Sequence, residues 1–203
     1  YNMVKRYTER GDLVVDPMCG SGTTIDVCKE EHRKCIGYDV VPVRDDIIQN
    51  DARKIPLRKN SVDMVFLDSP YGDNIRYNES PDNIGRHSAE SSEFYEALDK
   101  VASECHRILK QDKVIGWLIG DQWVHKKFTP VSFKIYNILE QYLMPLDIIS
   151  VVRRNQSSNT GVWHNRAIRH NFYLRGFKSL LIFKKQNGEM TEKKKTKWAY
   201  YDR

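Results

Sequence analysis

The sequence predicts an α/β fold: a seven-stranded, mostly parallel sheet flanked by helices. Three observations carry that expectation. Seven short apolar runs, several of them β-branched, recur along the 203 residues, and helical patterns separate several of them. The first run, Leu13-Val14-Val15, breaks into Asp16-Pro17-Met18-Cys19-Gly20-Ser21-Gly22-Thr23-Thr24. Such a glycine-rich turn lets backbone approach a ligand closely at the carboxyl edge of a parallel sheet. The fourth run, Met64-Val65-Phe66-Leu67, ends in Asp68-Ser69-Pro70-Tyr71, so an acid, a proline and an aromatic ring stand at a second strand end.

Taken in order, the strands are expected at 13–16, 34–39, 46–49, 62–68, 114–120, 148–153 and 180–184. A helix at 23–31 follows the glycine turn. Ser91 or Ser92 can cap the next, where Phe94, Leu98, Val101, Cys105 and Ile108 recur at three- and four-residue steps and Glu93 and Glu96 occupy the first turn. A third helix is read over 133–144, with Pro145 ending it. One junction departs from the plain doubly wound plan. Between Asp39 and Asp46 lie six residues, where a parallel crossover usually takes about a dozen or more. The helix between strands 2 and 3 is therefore missing, and either a displaced third strand or an extended bend at Pro42 would accommodate that. The organisation expected is one domain over 1–184 and a basic, solvated tail over 185–203, which holds Lys193-Lys194-Lys195.

Charge and cysteine content narrow the possible functions. Lys and Arg number 33 against 27 Asp and Glu, a formal charge of +6 that suits a polyanionic partner. The imbalance is local: from Ile148 to Gly188 there is no acidic residue, while Arg153, Arg154, Arg166, Arg169, Arg175, Lys178, Lys184 and Lys185 fall inside that stretch. Cys19, Cys28, Cys35 and Cys105 form no C-x-x-C pair and have no histidine at zinc-finger spacing. No metal site or disulfide framework is expected. With no run approaching eighteen apolar residues and no signal peptide, a cytoplasmic protein without a membrane partner is expected. The chain opens on Tyr1, close before the first strand, which leaves room for an N-terminal segment upstream.

The glycine turn reads as a nucleoside site. A helix starting at Thr23 directs its free N–H groups and positive dipole end at the loop. The second strand ends in Asp39, twenty-three residues after Asp16, where a carboxylate can accept both hydroxyls of a ribose. The loop has no lysine and no G-x-x-x-x-G-K pattern, which excludes a P-loop.

Together, Asp16–Thr24 and Asp68-Ser69-Pro70-Tyr71 resemble the cofactor and catalytic loops of the amino-methyltransferases, which use S-adenosylmethionine to methylate an exocyclic amine of adenine or cytosine in DNA. The resemblance runs from about Gly11 to Lys184 and closes on the strand Arg175-Gly176-Phe177-Lys178-Ser179-Leu180-Leu181-Ile182-Phe183-Lys184. It implies a Rossmann-like class I methyltransferase fold with Asp16 near the methionine amino group of the cofactor. It also implies Asp51, followed by Ala52, as acceptor for the cofactor's adenine amine, and Met18 as an apolar wall where the family often has Phe. In the catalytic loop the family usually has Asp/Asn-Pro-Pro-Tyr for adenine and Ser-Pro-Pro-Tyr for cytosine N4; here Ser69 replaces the first proline. The acid at the first position favours adenine.

The chemistery of that loop follows from the weakness of the nucleophile. The lone pair of an exocyclic amine is delocalised into the ring, so a site must place acceptors on both N–H bonds as the methyl group approaches. Asp68 supplies one acceptor and the Ser69 carbonyl a second. Pro70 fixes the backbone direction and Tyr71 offers a face for a base swung out of a duplex. No Pro-Cys dipeptide is present, which disfavours a cysteine nucleophile and methylation of cytosine at C5.

Two polar segments could choose the substrate: the run after Tyr71, including Arg76, and the stretch 154–176 with Asn155, Gln156, Trp163 and His164. Arg76, Arg153, Arg154, Arg166 and Arg169 are the candidate nucleic-acid contacts, since arginine meets both phosphate and purine edges. No recognition domain of the usual size is evident. The partner expected is DNA in preference to RNA, with a further subunit possible and the oligomeric state open. Two other readings stand beside this one: an RNA guanine N2 methyltransferase, and a catalytically silent subunit of a methyltransferase complex.

Overall fold

The computed structural model describes residues 1–73, 80–125, 127–153 and 160–186. In chain order it contains α1 (Asn2–Tyr7), β1 (Leu13–Asp16), α2 (Thr23–Glu30), β2 (Lys34–Asp39), β3 (Ile47–Gln49), β4 (Val62–Asp68), a 3-10 turn (Ile84–Arg86) and α3 (Ser92–Ile108). There follow β5 (Leu109–Ile119), β6 (Gln122–Val124), β7 (Lys127–Thr129), α4 (Val131–Leu139), β8 (Met144–Val152), α5 (Gly161–Arg169) and β9 (Phe177–Lys184). Seven strands form one sheet in the order β3-β2-β1-β4-β5-β9-β8. The first five run parallel, and β9 lies antiparallel between β5 and β8.

Strand alternation decides which side chains face which layer. Val14, Met64, Val114 and Ile182 pack on one side with Met3 and Val4 of α1 and Cys28 of α2. Val15, Val65, Ile115, Leu181 and Phe183 pack on the other with Phe94, Leu98, Val101 and Cys105 of α3 and Ile135, Ile138 and Leu139 of α4. The near-continuous apolar runs of β1 and β4 are what a sheet covered on both faces requires. The Ser91 hydroxyl accepts from the Phe94 N–H and starts α3 as the sequence predicts.

The missing helix between β2 and β3 has a simple geometric account. β3 pairs only with the last three residues of β2, Gly37 with Ile47 through Asp39 with Gln49. The chain therefore climbs back only roughly 10 Å, at about 3.3 Å per residue, and residues 40–46 suffice. Arg44 ties this connection down: its guanidinium donates to both carboxylate oxygens of Asp26 at 2.8 Å, to Asp46 at 2.8 and 2.9 Å and to the Ser21 carbonyl at 3.1 Å. Lys29 also meets Asp46, at 2.8 Å. This network takes the place of an apolar packed helix.

Several boundaries differ from the sequence expectation. The helix expected over 133–144 ends at Leu139, and Met144 and Pro145 open β8 instead. Leu143 is buried and extends the helical spacing of Ile135, Ile138 and Leu139, which conceals the change. Pro145 is tolerated because β8 is an edge strand whose register shifts between Pro145 and Asp147. β5 begins at Leu109 rather than 114, through an irregularity in which Asp112 adopts a φ of +60°. β9 begins at Phe177 rather than 180. The stretch 154–176 contains α5, and α1 and the β6–β7 hairpin lay outside the expectation altogether. The expected tail falls mostly on 187–203, outside the described residues.

Candidate active site

Both signature loops leave the carboxyl ends of adjacent parallel strands, β1 and β4. After β1 the chain turns through Gly20 and Gly22, whose φ values of +53° and +86° lie in the left-handed region that favours glycine. Gly22 caps α2, and a Cβ there would strike the Arg44 guanidinium at 2.5 Å. Asp16 is buried beneath the loop. Its carboxylate accepts from the Met18 N–H and the Thr24 hydroxyl, which fixes the loop to the first turn of α2. Burial pushes the Asp16 carboxyl up to about 7; the two hydrogen bonds pull it down again, and the charges of Asp68 and Asp39 add to the rise. Cys19 is turned inward against Gly37, where a Cβ would meet its sulfur at 2.7 Å, and burial raises its thiol to about 12.

Asp39 closes the loop from the neighbouring strand. Its carboxylate accepts from Gly20 N–H at 2.9 Å and from Val41 N–H at 3.0 Å. Over this edge lies a cleft of about 230 Å³, bounded by Pro17, Met18, Gly20, Asp39, Asp51, Ala52, Asp68 and Pro70. Asp16, Cys19, Ser21, Thr23 and Thr24 are not among its lining residues and support it from behind or beside. Asp51 reaches the cleft with its carboxylate already held by the Arg53 side chain at 2.7 to 3.0 Å, and Arg53 also meets Asp82 at 3.1 Å. The sequence reading did not anticipate Val40, Val41, Val43, Asp82, Asn83 and Ile84, which complete the wall.

The composition of this wall tests the cofactor. Four aspartates and no lysine or arginine line the cleft. Arg53 and Lys178 behind the wall offset part of this charge, and the net acidic surface that remains suits a nucleoside carrying a sulfonium and an ammonium better than a diphosphate, with carboxylates for hydroxyls and valine, methionine and proline for the adenine faces. The residues present fit S-adenosylmethionine.

In the loop after β4, Asp68 sits where two clefts meet, since it lines the acidic cleft and a second, of about 570 Å³. Its Oδ1 accepts from the Tyr71 hydroxyl at 2.9 Å. Its Oδ2 accepts from the Lys178 ammonium at 2.8 Å, and that ammonium lies 4.9 Å from the centre of the Tyr71 ring. Lys178 is the residue that the sequence reading left among the general basic charge, because nothing in chain order links a β9 lysine to a β4 acid. Ser69, the departure from the double proline, is buried, and its hydroxyl accepts from the Trp117 indole N–H at 2.8 Å.

The second cleft is aromatic and basic. Tyr71, Trp123, Phe172, Tyr173 and Phe177 line it together with Arg153, Arg175 and Lys178. Arg175 lies over the rings of Trp123 and Phe128, 5.7 and 4.5 Å from their centres, which joins the β6–β7 hairpin to the segment before β9. Of the candidate nucleic-acid residues, Arg153 stands in this cleft. Arg166 and Arg169 lie on α5 and line neither cleft, Arg166 resting over Trp163. Arg76 and Arg154 lie outside the described residues. Among the described residues no group of three or more His, Cys, Asp or Glu could hold a metal ion, and no helix is long and apolar enough to cross a membrane.

Solved structures share this fold at low identity. A structure of the complex between the Haloferax volcanii Trm112 methyltransferase activator and a methyltransferase matches with a TM-score of 0.61 and 15% identity, over 94% of this chain and 89% of that one. An S-adenosylmethionine-dependent methyltransferase from Methanosarcina mazei matches at 0.59 and 10% identity, over 92% and 98%. The geranyl diphosphate C-methyltransferase of Streptomyces coelicolor A3(2), solved with S-adenosylhomocysteine, matches at 0.56 and 14%, over 91% and 78%. These likenesses establish the class I methyltransferase fold. No curated protein sequence matches the chain. The DNA methylase family of N6 and N4 amino-methyltransferases matches residues 1–50 and 62–202, a span that takes in both loops and all seven strands of the main sheet. The chain belongs to the DNA methylase family.

Proposed function

We propose that this methyltransferase transfers the methyl group of S-adenosylmethionine to an exocyclic amino nitrogen of a base turned out of DNA, adenine N6 or cytosine N4, and that residues 1–184 act as one catalytic domain. The observation that carries the reading is the position of Asp68, whose carboxylate faces an acidic nucleoside cleft on one side and an aromatic, basic cleft on the other. A base stacked on Tyr71 would bring its amine against Asp68, with the Ser69 carbonyl as second acceptor, so that the nitrogen lone pair turns out of conjugation. When bound there, S-adenosylmethionine would supply an electrophilic sulfonium methyl group with a neutral thioether as leaving group. Asp39 and Asp51 would hold its ribose and adenine, and Met18 and Pro70 its apolar faces. The methylated nitrogen then releases its extra proton to the Asp68 carboxylate and on to water, so no histidine base is needed. The hydrogen bond from Trp117 to Ser69 holds the loop where a second proline would otherwise stiffen it. Arg153 in the cleft, with Arg166 and Arg169 on α5, would meet phosphates.

The test is direct. The protein is incubated with methyl-labelled S-adenosylmethionine and separate DNA and RNA pools, and the labelled nucleoside is identified after digestion. Label in N6-methyladenine or N4-methylcytosine from DNA is the expected result. Label on a ring carbon, or in RNA alone, would overturn the proposal.

A further inference from the structure

Each carboxylate oxygen of Asp68 accepts one side-chain hydrogen bond: Oδ1 from the Tyr71 hydroxyl and Oδ2 from the Lys178 ammonium, with the carboxylate still 42% exposed. Lys178 donates from β9, with its side chain mostly enclosed at 18% exposure and its nitrogen 4.9 Å from the Tyr71 ring centre. It thus combines a nitrogen donor on Asp68 with a position beside the Tyr71 ring, the two contacts a stacked base would make with its amine. A base in that pose would share Asp68 and the Tyr71 face with the ammonium. The lysine stem has four rotatable bonds, so a short swing frees Oδ2 and leaves the charged donor beside the incoming base.

We propose, on the basis of the amino-methyltransferase reading above, that Lys178 holds the place of the target amine in the free enzyme and then reads the base itself. Once displaced, it donates to the ring nitrogen next to the exocyclic amine, N1 of adenine or N3 of cytosine, while the amine donates to Asp68. An acid and an ammonium side by side match an amine next to an acceptor nitrogen. Guanine carries its amine at C2, and on the edge where adenine offers N1 it presents an N1–H, which would aim a donor at a donor. Lys178 is in this account a specificity-determining residue that contacts the substrate, and the Asp68–Lys178 pair selects the target as well as supplying the catalytic carboxylate.

Oligonucleotides carrying adenine or 1-deazaadenine at the target, or cytosine and 3-deazacytosine for a cytosine target, test this with the full chain. The wild-type protein should methylate the deaza base about ten- to a hundredfold less efficiently, the range expected for a hydrogen bond to a charged donor. Because the deaza base differs chemically from its parent, the decisive quantity is the change in that ratio between proteins. Lys178→Met should reduce kcat/KM on the natural base and bring the ratio toward that of a protein with no donor, while Lys178→Arg should keep much of the wild-type ratio. Cofactor affinity measured by calorimetry should be unchanged in both variants. The same ratio in Lys178→Met as in wild type overturns the assignment, and so does a Lys178→Arg variant that discriminates no better than Lys178→Met. If the wild-type protein methylates no DNA, the amino-methyltransferase reading itself has failed, an outcome separate from either of these.

Discussion

The serine in the catalytic loop offers a stability measurement that needs no substrate. Ser69 is 1% exposed and Trp117 fully buried, and the indole N–H donates to the serine hydroxyl at 2.8 Å. Ser69→Ala would leave a buried donor without its acceptor, which costs about 1–3 kcal/mol. For a domain of this size roughly 1 kcal/mol lowers the melting midpoint by about 2–4 °C, so the expected drop is on the order of 2–12 °C. Trp117→Phe removes the donor, and its own cost is the lost packing of the larger ring. Adding Ser69→Ala to Trp117→Phe should then cost much less than Ser69→Ala alone, with a coupling of about 1–2 kcal/mol in a double-mutant cycle followed by urea unfolding. Additive costs, with the two changes behaving independently, would refute the claim that this hydrogen bond anchors the loop.

Asp39→Ala should weaken S-adenosylmethionine binding by about 1.5–3 kcal/mol, the loss of charge-assisted hydrogen bonds to two hydroxyls; unchanged affinity in calorimetry would remove Asp39 from the site. Asp68→Ala should abolish methyl transfer and leave cofactor affinity within severalfold, and transfer at the wild-type rate would defeat the catalytic assignment. Tyr71→Ala should lose the roughly 1–3 kcal/mol of base stacking. Tyr71→Phe keeps the ring and gives up only the half-exposed bond to Asp68, so fluorescence titration with a DNA target should find it close to wild type. For pH, the folded Asp16 carboxyl titrates at about 7 against an ordinary 3.8, so between those values the folded state holds more protons than the unfolded one. Its contribution to stability is therefore full below about pH 4 and is lost as pH rises through 7, while a bound cation beside it favours the ionised form and tightens cofactor binding over the same range. Asp16→Asn should flatten both curves, and a cofactor affinity that keeps its pH dependence in that variant would contradict the role.

The parts of this molecule that could be read from sequence are those whose chemistry is local. The glycine turn after Leu13-Val14-Val15, the acid at the end of β2 and the loop after β4 each combine a strand end with residue types that few other contexts require. The spacing of Phe94, Leu98, Val101, Cys105 and Ile108 likewise defines α3, because a helix repeats within a few residues. What stayed hidden depends on distance along the chain. The Lys178–Asp68 pair spans 110 residues and the Trp117–Ser69 bond 48, and no periodicity signals either. The change from α4 to β8 was masked because Leu143 is buried at a helical interval from Leu139 although it lies beyond the helix. The β6–β7 hairpin escaped notice because three-residue strands leave too little alternation to detect.

The ionic strapping of the β2–β3 connection bears on how salt experiments should be read. Arg44, Asp26, Asp46 and Lys29 are held to one another by charge at the protein surface, and they tie the β2–β3 connection that carries Val41 to α2 and, through the Ser21 carbonyl, to the glycine loop. Added electrolyte screens such pairs while leaving the apolar layers of the sheet almost untouched. It also weakens contacts between arginines and phosphates. On the proposed function, ionic strength would act at both ends of the enzyme in the same direction, and the slope of activity against salt would overcount phosphate contacts. Titrating the methyl donor alone across the same salt series isolates the strap, and subtracting that dependence leaves the share that belongs to the nucleic acid.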